Sequence, residues 1–152
     1  DLGSGSGRCV IAAALLSELG AAEDGNSTPL FHECRGIELL PSLFSLSKFV
    51  DVIFAGVSQR EKLTTTIGMH KEDILSGPTD WTDGFVVFAN STCFSPDLFD
   101  AMAARAKGMR SGSVFVTNSS TLPESSGFKE VAELRLAFSW GHADVYVHVK
   151  QD

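Results

Sequence analysis

Strands and helices that alternate along most of the chain, followed by a β-hairpin, predict an α/β sandwich. Three observations predict this fold. The sequence DLGSGSG at residues 1–7 runs directly into an apolar helix, as in turns that join a strand to a helix. Residues 85–89, FVVFA, form a continuous apolar run typical of a buried parallel strand. Residues 134–140 and 144–149 are rich in strand formers, and their spacing indicates an antiparallel hairpin.

The first half of the chain is expected to contain two helices around one strand. The helix that follows the glycine-rich turn is predicted to be buried and to end at Gly20 as a C-cap. A strand follows over residues 33–37 and ends at Glu38. Pro41 then begins a helix that runs to residue 58. Its predicted buried stripe consists of Leu40, Leu43, Phe44, Phe49 and Ile53.

The second half alternates in the same way. Residues 64–73 begin with β-branched side chains and predict a strand. After the apolar strand 85–89, Ser95 and Pro96 provide the capping chemistry of a helix that ends near Lys107. Residues 114–116 predict the last strand before the hairpin. The expected apolar face of the helix consists of Leu98, Met102 and Ala106.

Composition bounds the class of protein. The 152 residues are 43% hydrophobic and are expected to form one domain, residues 1–152, that needs an upstream strand because no apolar run precedes Asp1. A net charge of −7 without a basic cluster disfavours direct nucleic-acid binding. No apolar run approaches the ~20 residues that span a membrane, so no membrane contact is expected. Separated cysteines and scattered histidines indicate reduced thiols, no metal site and an intracellular location, nuclear or cytoplasmic.

The glycine-rich turn is the clearest sign of ligand binding. Its glycines permit a tight turn that brings backbone N–H groups close to a ligand, beside the positive N-terminal end of the following helix. A carboxylate at position 1 would repel pyrophosphate but attract a cation. The loop therefore favours S-adenosylmethionine, which carries an ammonium and a sulfonium group, although a flexible linker is the alternative interpretation. The candidate cofactor contacts in this turn are Asp1, Gly3, Ser4, Gly5 and Gly7.

Polar residues fall at the ends of three predicted strands. Ligands of such sheets bind beyond the carboxyl ends of the strands, so one crevice is expected to contain these residues together with Asp1: Asp1, Glu38, Asp73 and Asn90. Glu38 suits two ribose hydroxyls, Asp73 an adenine amino group and Asn90 an acceptor nitrogen. The alternatives are a surface glutamate, a helix cap or surface turn, and an asparagine that caps a turn.

Three aromatic residues are candidates for the wall of an acceptor channel: Phe94, Trp140 and Tyr146. Aromatic faces attract sulfonium and ammonium groups by ~0.5–2 kcal/mol, although isolated aromatic residues also serve as core. The sequence has no G-x-S-x-G elbow, Walker loop or H-E-x-x-H helix, which disfavours hydrolases. Methyl transfer does not require these motifs, because alignment of the two reacting groups alone lowers the barrier by ~7–11 kcal/mol.

Four segments together resemble one family. Residues 1–7, 36–38 and 87–94, with FSW at 138–140 and VYVH at 145–148, are similar to the disruptor-of-telomeric-silencing type of histone lysine methyltransferases. This family is a non-SET branch of the class I S-adenosylmethionine-dependent methyltransferases, whose fold is a Rossmann-like seven-strand sandwich. The resemblance implies S-adenosylmethionine as cofactor and a protein lysine as acceptor, with histone lysine as one candidate.

The resemblance also implies a role for each matching residue. Asp1, Gly3 and Gly5 would surround the methionine part of the cofactor, Glu38 would bind the ribose, and Asp73 with Ile74 would bind the adenine. Asn90 would lie beside the methyl group, and Phe94, Trp140 and Tyr146 would line the lysine channel. Three alternatives stay open at this point: a class I methyltransferase for a small molecule or nucleic acid, a nicotinamide-dependent dehydrogenase, and a non-catalytic interaction module.

Overall fold

The computed structural model describes residues 1–23, 28–139 and 141–152, which form two compact units. The first unit contains Asp1 and Gly3–Asp73, and the second contains Leu2 and Ile74–Asp152. The predicted hairpin residue Trp140 lies outside the described residues, as do residues 24–27 between the first helix and the first strand.

The first unit is built from two parallel strands and two helices. Helix α1 covers Arg8–Glu23, strand β1 covers Glu33–Glu38, helix α2 covers Pro41–Glu61 and strand β2 covers Thr66–Lys71. Strands β1 and β2 run in parallel. Pro41 begins α2 as predicted, because proline lacks the N–H that the first helical turn leaves unpaired. The buried cluster of this unit consists of Val10, Ala14, Cys34, Phe54 and Met69.

The prediction that Gly20 ends the first helix is wrong. Helix α1 continues to Glu23. A Cβ atom at Gly20 would lie 3.4 Å from Cδ1 of Leu30, an ordinary contact, so neither a helix end nor crowding requires glycine at this position. The prediction of a wholly buried helix is also wrong, because Leu16 and Leu19 are exposed while the stripe of Val10 and Ala14 is buried.

The predicted buried stripe of α2 is wrong for most of its members. Leu40, Leu43, Phe49 and Ile53 are exposed, and only Phe44 is half-buried. The buried residues of this helix are Ser47 and Phe54. The hydroxyl of Ser47 donates to the carbonyl oxygen of Phe44 at 2.8 Å, so a polar side chain is accommodated on the buried face without an unpaired group.

Helix α2 carries an unusual amount of exposed apolar surface. Among the described residues it is the one helix long and apolar enough to cross a membrane, with a mean hydropathy of 1.2 and 11% of the 18-residue window buried. The helix meets this criterion by its length and composition alone. Lys48 and Asp51 form an ion pair of 2.6 Å within the helix. That no membrane is contacted stays a prediction.

The second unit contains a four-stranded sheet. Strand β3 covers Val86–Ala89, helix α3 covers Pro96–Ala106, strand β4 covers Val114–Asn118, and strands β5 and β6 cover Phe128–Phe138 and Gly141–Lys150. The strand order is β3-β4-β6-β5, with β3 parallel to β4 and the last two strands forming the predicted antiparallel hairpin.

Aromatic packing holds this second unit together. The ring of Phe115 is fully buried and makes edge-to-face contacts with Trp81 and Phe128, at centroid distances of 6.1 and 5.8 Å. Met102 and Ala106 of α3 are buried, as predicted. The prediction that the whole run 85–89 is buried is wrong at its start, because Phe85 and Val86 are exposed.

Candidate functional site

The glycine-rich loop is fixed to the end of β1 by backbone hydrogen bonds. The N–H groups of Gly3 and Ser4 both donate to the carbonyl oxygen of Ile37, at 2.9 and 3.0 Å. The Ile37 N–H in turn donates to the carbonyl oxygen of Asp1 at 2.9 Å. The N–H of Gly7 donates to the Ser4 carbonyl at 2.9 Å, which closes the turn that leads into α1. The segment is therefore an ordered loop that leads into α1, and the linker interpretation is wrong.

Glycine is required in this loop for two physical reasons. Gly3, Gly5 and Gly7 have φ angles of 70°, 56° and 80°, in the left-handed region that L side chains disfavour. A Cβ atom at Gly7 would also clash with the methyl group of Met69. At Gly5, by contrast, a Cβ atom would meet nothing within 4 Å. The outer side of the loop at Gly5 is open, as a ligand cradle must be.

Glu38 holds the loop in place. Its side chain is only 6% exposed. Oxygen Oε2 accepts the Gly5 N–H at 2.8 Å, and Oε1 accepts the Leu40 N–H at 2.7 Å. A carboxylate offers about four lone-pair positions, so acceptor capacity for two hydroxyl groups remains. The alternative of a solvent-exposed glutamate is wrong, and the sequence did not reveal that this residue organises the glycine loop.

Two buried oxygen atoms next to the loop have no hydrogen-bond partner among the described residues. They are Oδ1 of Asp1 and Oγ of Ser4. The Ser4 side chain lies against β1, because a Cβ atom at Gly36 would come 2.8 Å from its hydroxyl. Unpaired buried polar atoms are costly and rare in folded proteins. Oδ1 of Asp1 is a group that a polar ligand would complete, whereas Oγ of Ser4 faces Gly36 and Val10 in the packed interior.

Asp73 and Ile74 follow β2 directly. Asp73 is half-buried. Ile74 is buried, and its carbonyl oxygen accepts the indole N–H of Trp81 at 2.7 Å. Asp1, Glu38 and Asp73 thus belong to the first unit, and Asn90 belongs to the second. A single crevice that contains all of them stays a prediction.

Asn90 stands at the carboxyl end of β3 and is held by its neighbours. Its Oδ1 accepts the Nδ2–H of Asn118 and the hydroxyl of Thr92, each at 3.1 Å. Asn118 is fully buried at the end of β4, and its own Oδ1 has no partner among the described residues. Its carbonyl oxygen accepts the hydroxyl of Ser91 at 2.6 Å. The Nδ2 group of Asn90, a donor, has no hydrogen-bond partner among the described residues.

A cavity of about 300 Å³ begins one residue after Asn90. We call it the Phe94 cavity. Phe94 and Phe99 line it and are half-buried, and the role of Phe94 in an acceptor channel stays a prediction. Tyr146 is not among the lining residues, and Trp140 lies outside the described residues. The lining consists of Ser91, Phe94, Pro96, Phe99, Asp100, Ser120, Thr121 and Pro123.

Tyr146 and His148 share a strand near this cavity, and both have shifted pKa values. Loss of hydration, then the carboxylates of Glu133 and Asp144, raise the pKa of the Tyr146 phenol. Burial lowers the pKa of His148, so its neutral form is favoured. Nε2 of His148 accepts the Leu122 N–H at 3.1 Å, and Nδ1 lies 3.1 Å from the carbonyl oxygen of Phe115. The proton of the neutral ring therefore resides on Nδ1.

The sequence predictions missed several residues of this site. Asn118 ends an apolar strand just as Asn90 does, and that repeated pattern could have identified it. Asp100 and Thr121 carried no such signal, because one lies inside a helix and the other in a polar loop. Across residues 1–23, 28–139 and 141–152, no cluster of His, Cys, Asp or Glu side chains is placed to hold a metal ion.

Known structures share this fold. Magnesium protoporphyrin IX methyltransferase (ChlM) from Synechocystis PCC 6803, with bound S-adenosylmethionine, matches with a TM-score of 0.64 at 8% identity, over 99% of this chain and 68% of that one. The [4+2]-cyclase SpnF matches with a TM-score of 0.63 at 9% identity, over 99% of this chain and 73% of its own.

A third structure is matched over a larger share of its length. A putative S-adenosylmethionine-dependent methyltransferase from Listeria monocytogenes matches with a TM-score of 0.62 at 12% identity, over 100% of this chain and 90% of that one. The chain therefore has the α/β Rossmann-like fold of class I methyltransferases, as predicted. No family model matches the chain, and no curated protein matches its sequence.

Proposed function

We propose that this chain is the catalytic domain of an S-adenosylmethionine-dependent methyltransferase. One observation carries the proposal: in a methyltransferase-like fold, a glycine loop tied to a buried glutamate is open at Gly5 and leaves Oδ1 of Asp1 without a partner among the described residues. These groups suit a ligand that carries both a cation and hydroxyl groups.

Each cofactor-binding residue has a defined task in this proposal. The Asp1 carboxylate would attract the positively charged methionine part, and the loop N–H groups would approach its carboxylate. Glu38 would accept the ribose hydroxyls with its remaining lone pairs. Asp73 and Ile74 would border the adenine. The cofactor supplies a methyl group already activated on a sulfonium, so the chain has to bind, orient and exclude water.

The fold alone does not define the reaction. SpnF, a [4+2]-cyclase, shares the fold at a TM-score of 0.63. The nicotinamide-dependent and non-catalytic alternatives likewise predict a glycine loop of this kind. Asp1, the first residue of the loop, favours a sulfonium ligand over a pyrophosphate, because its carboxylate would repel the negative phosphate groups.

A protein lysine is one proposed acceptor. The similarity of residues 87–94 and of the hairpin to the disruptor-of-telomeric-silencing family supports it, with Phe94, Trp140 and Tyr146 as the channel wall. A lysine has an ordinary pKa of about 10.4 and must lose its proton before it attacks. Aromatic, poorly hydrated surroundings and a sulfonium nearby would both favour the neutral amine.

A small-molecule acceptor is the second candidate, and the known structures of this fold support it better. The Nδ2–H group of Asn90, whose Oδ1 is already engaged, would donate to an oxygen of such an acceptor. ChlM, one of the matching structures, is named for the methylation of a porphyrin. A nucleic-acid acceptor is disfavoured by the net charge of −7.

Transfer of tritium from methyl-labelled S-adenosylmethionine into a cell extract tests both the methyl transfer and the class of its acceptor. The extract is separated into protein, RNA and small molecules after the reaction. Label in small molecules supports the second acceptor, label in protein supports lysine, and no label in any fraction contradicts methyl transfer. Glu38→Gln is expected to lower transfer at least ten-fold, because one amide oxygen cannot accept both the Gly5 N–H and the Leu40 N–H.

Glu33→Gln is the matched control. It makes the same chemical change on the same strand, at an exposed position. Its only described ion pair, with Arg35, is 3.7 Å long and contributes little. Equal loss in both variants would contradict the role of Glu38.

A further inference from the structure

The Phe94 cavity has the chemistry of a cation site. Phe94 and Phe99 contribute aromatic faces, and Asp100 contributes a carboxylate. None of the eight described lining residues is basic. Asp100 is exposed, and no hydrogen bond or ion pair engages its carboxylate within the described part of the chain. An aromatic wall beside an unpaired carboxylate attracts ammonium and guanidinium groups.

Two other polar side chains of the cavity, those of Ser91 and Thr121, are already engaged, and the exposed hydroxyl of Ser120 is the free donor that remains among the described lining residues. The hydroxyl of Ser91 donates to the carbonyl oxygen of Asn118. The hydroxyl of Thr121 lies 2.7 Å from Oε2 of Glu130 and 2.9 Å from Nε2 of His148. These contacts fix the walls but leave few free donors for an anionic ligand. Asp100 is consequently the charged group that decides which ligand enters.

We propose that the Phe94 cavity binds an alkylammonium or guanidinium group of the acceptor molecule, with Asp100 as the residue that determines this specificity. Because Ser91 directly follows Asn90 and lines the cavity, the cavity would recognise a charged part of the acceptor. That role as an acceptor subsite rests on the proposed methyl transfer. The binding of a cation does not, because it can be measured without any cofactor.

Nuclear magnetic resonance titrations of the full protein with small probes test this proposal. The probes are n-butylammonium, n-butylguanidinium, n-butanol and butyrate, each raised to ~100 mM because fragments of this size bind weakly. The amide signals of Phe94, Phe99 and Thr121 report binding at the cavity. The two cationic probes distinguish an ammonium site from a guanidinium site.

At least one cationic probe is expected to bind about five-fold more tightly than butanol, and butyrate more weakly still. Asp100→Asn should remove this preference while leaving butanol binding unchanged. Asp97→Asn should retain it, because Asp97 lies on the same helix, is exposed and does not line the cavity.

Three results would overturn the proposal: no saturable shifts at the cavity residues, equal affinity for butanol and both cations, or an unchanged preference in Asp100→Asn. A folded protein that binds the cations but not S-adenosylhomocysteine would contradict the proposed methyl transfer and leave the cation site standing. A folded protein that binds S-adenosylhomocysteine but neither cation would contradict the cation site and leave the proposed methyl transfer standing.

Discussion

Glu38 shows how one residue can serve both folding and ligand binding. Its buried carboxylate accepts two backbone N–H groups, one of them from Gly5. Hydrogen bonds to a charged group contribute ~1.5–3 kcal/mol, so this side chain helps to keep the loop in its ligand-ready shape. The sequence predicted that Glu38 ends a strand and suits a ribose. It gave no sign of the loop contact, because that contact joins residues 33 positions apart.

His148 makes stability depend on pH. Burial lowers the pKa of the folded state below the ordinary value of about 6.5, with a smaller opposing effect from Glu130. The unfolded state therefore binds the proton first as pH falls. The resulting contribution to the free energy of unfolding is fully present above pH ~6.5 and is lost progressively below it, with a slope of at most ~1.4 kcal/mol per pH unit.

Urea unfolding between pH 7.5 and 5.5 measures this contribution. His148→Gln should flatten the pH dependence in that range, while His142→Gln, at an exposed position of the same strand, should leave it as in the wild type. Identical pH profiles for wild type and His148→Gln would show that the buried imidazole is not responsible.

At the scale of elements, helix α3 was predicted well and α2 was not. The start of α3 follows from local chemistry, since the Ser95 hydroxyl accepts the Leu98 N–H at 3.3 Å and Pro96 occupies the first turn. The burial of α2 depends on what packs against it. The helix carries apolar side chains on most of its circumference, so the spacing of apolar residues did not identify the buried face with Ser47 and Phe54.

Ser95→Ala tests the cap that positions α3, and hence Phe99 and Asp100, beside the cavity. Loss of the capping bond should lower the free energy of unfolding by ~0.5–1 kcal/mol. Ser45→Ala makes the same change at an exposed position inside α2, where alanine is the better helix former, and should raise stability slightly. Chemical denaturation of both variants gives the comparison, and equal effects would contradict a capping role.

At the scale of the whole molecule, the order of elements was the most predictable property. Turn, helix and strand signals are local, and they survive in a chain only 8–12% identical to three proteins of the same fold. The contacts that shape the site are not local. Asn118 with Asn90, and Thr121 with His148, join residues 28 and 27 positions apart, so only the folded chain reveals them.

The most direct test of the proposed cofactor site is calorimetric titration with S-adenosylhomocysteine, using NADH as the competing ligand class. Wild type should bind S-adenosylhomocysteine and not NADH. Gly5→Ala and Gly112→Ala both place a methyl group in open space at positive φ, so their strain is matched at ~1–2 kcal/mol. We expect Gly112→Ala to bind like wild type and Gly5→Ala at least ten-fold more weakly. No binding by the folded wild type, or undiminished binding by folded Gly5→Ala, would contradict the account.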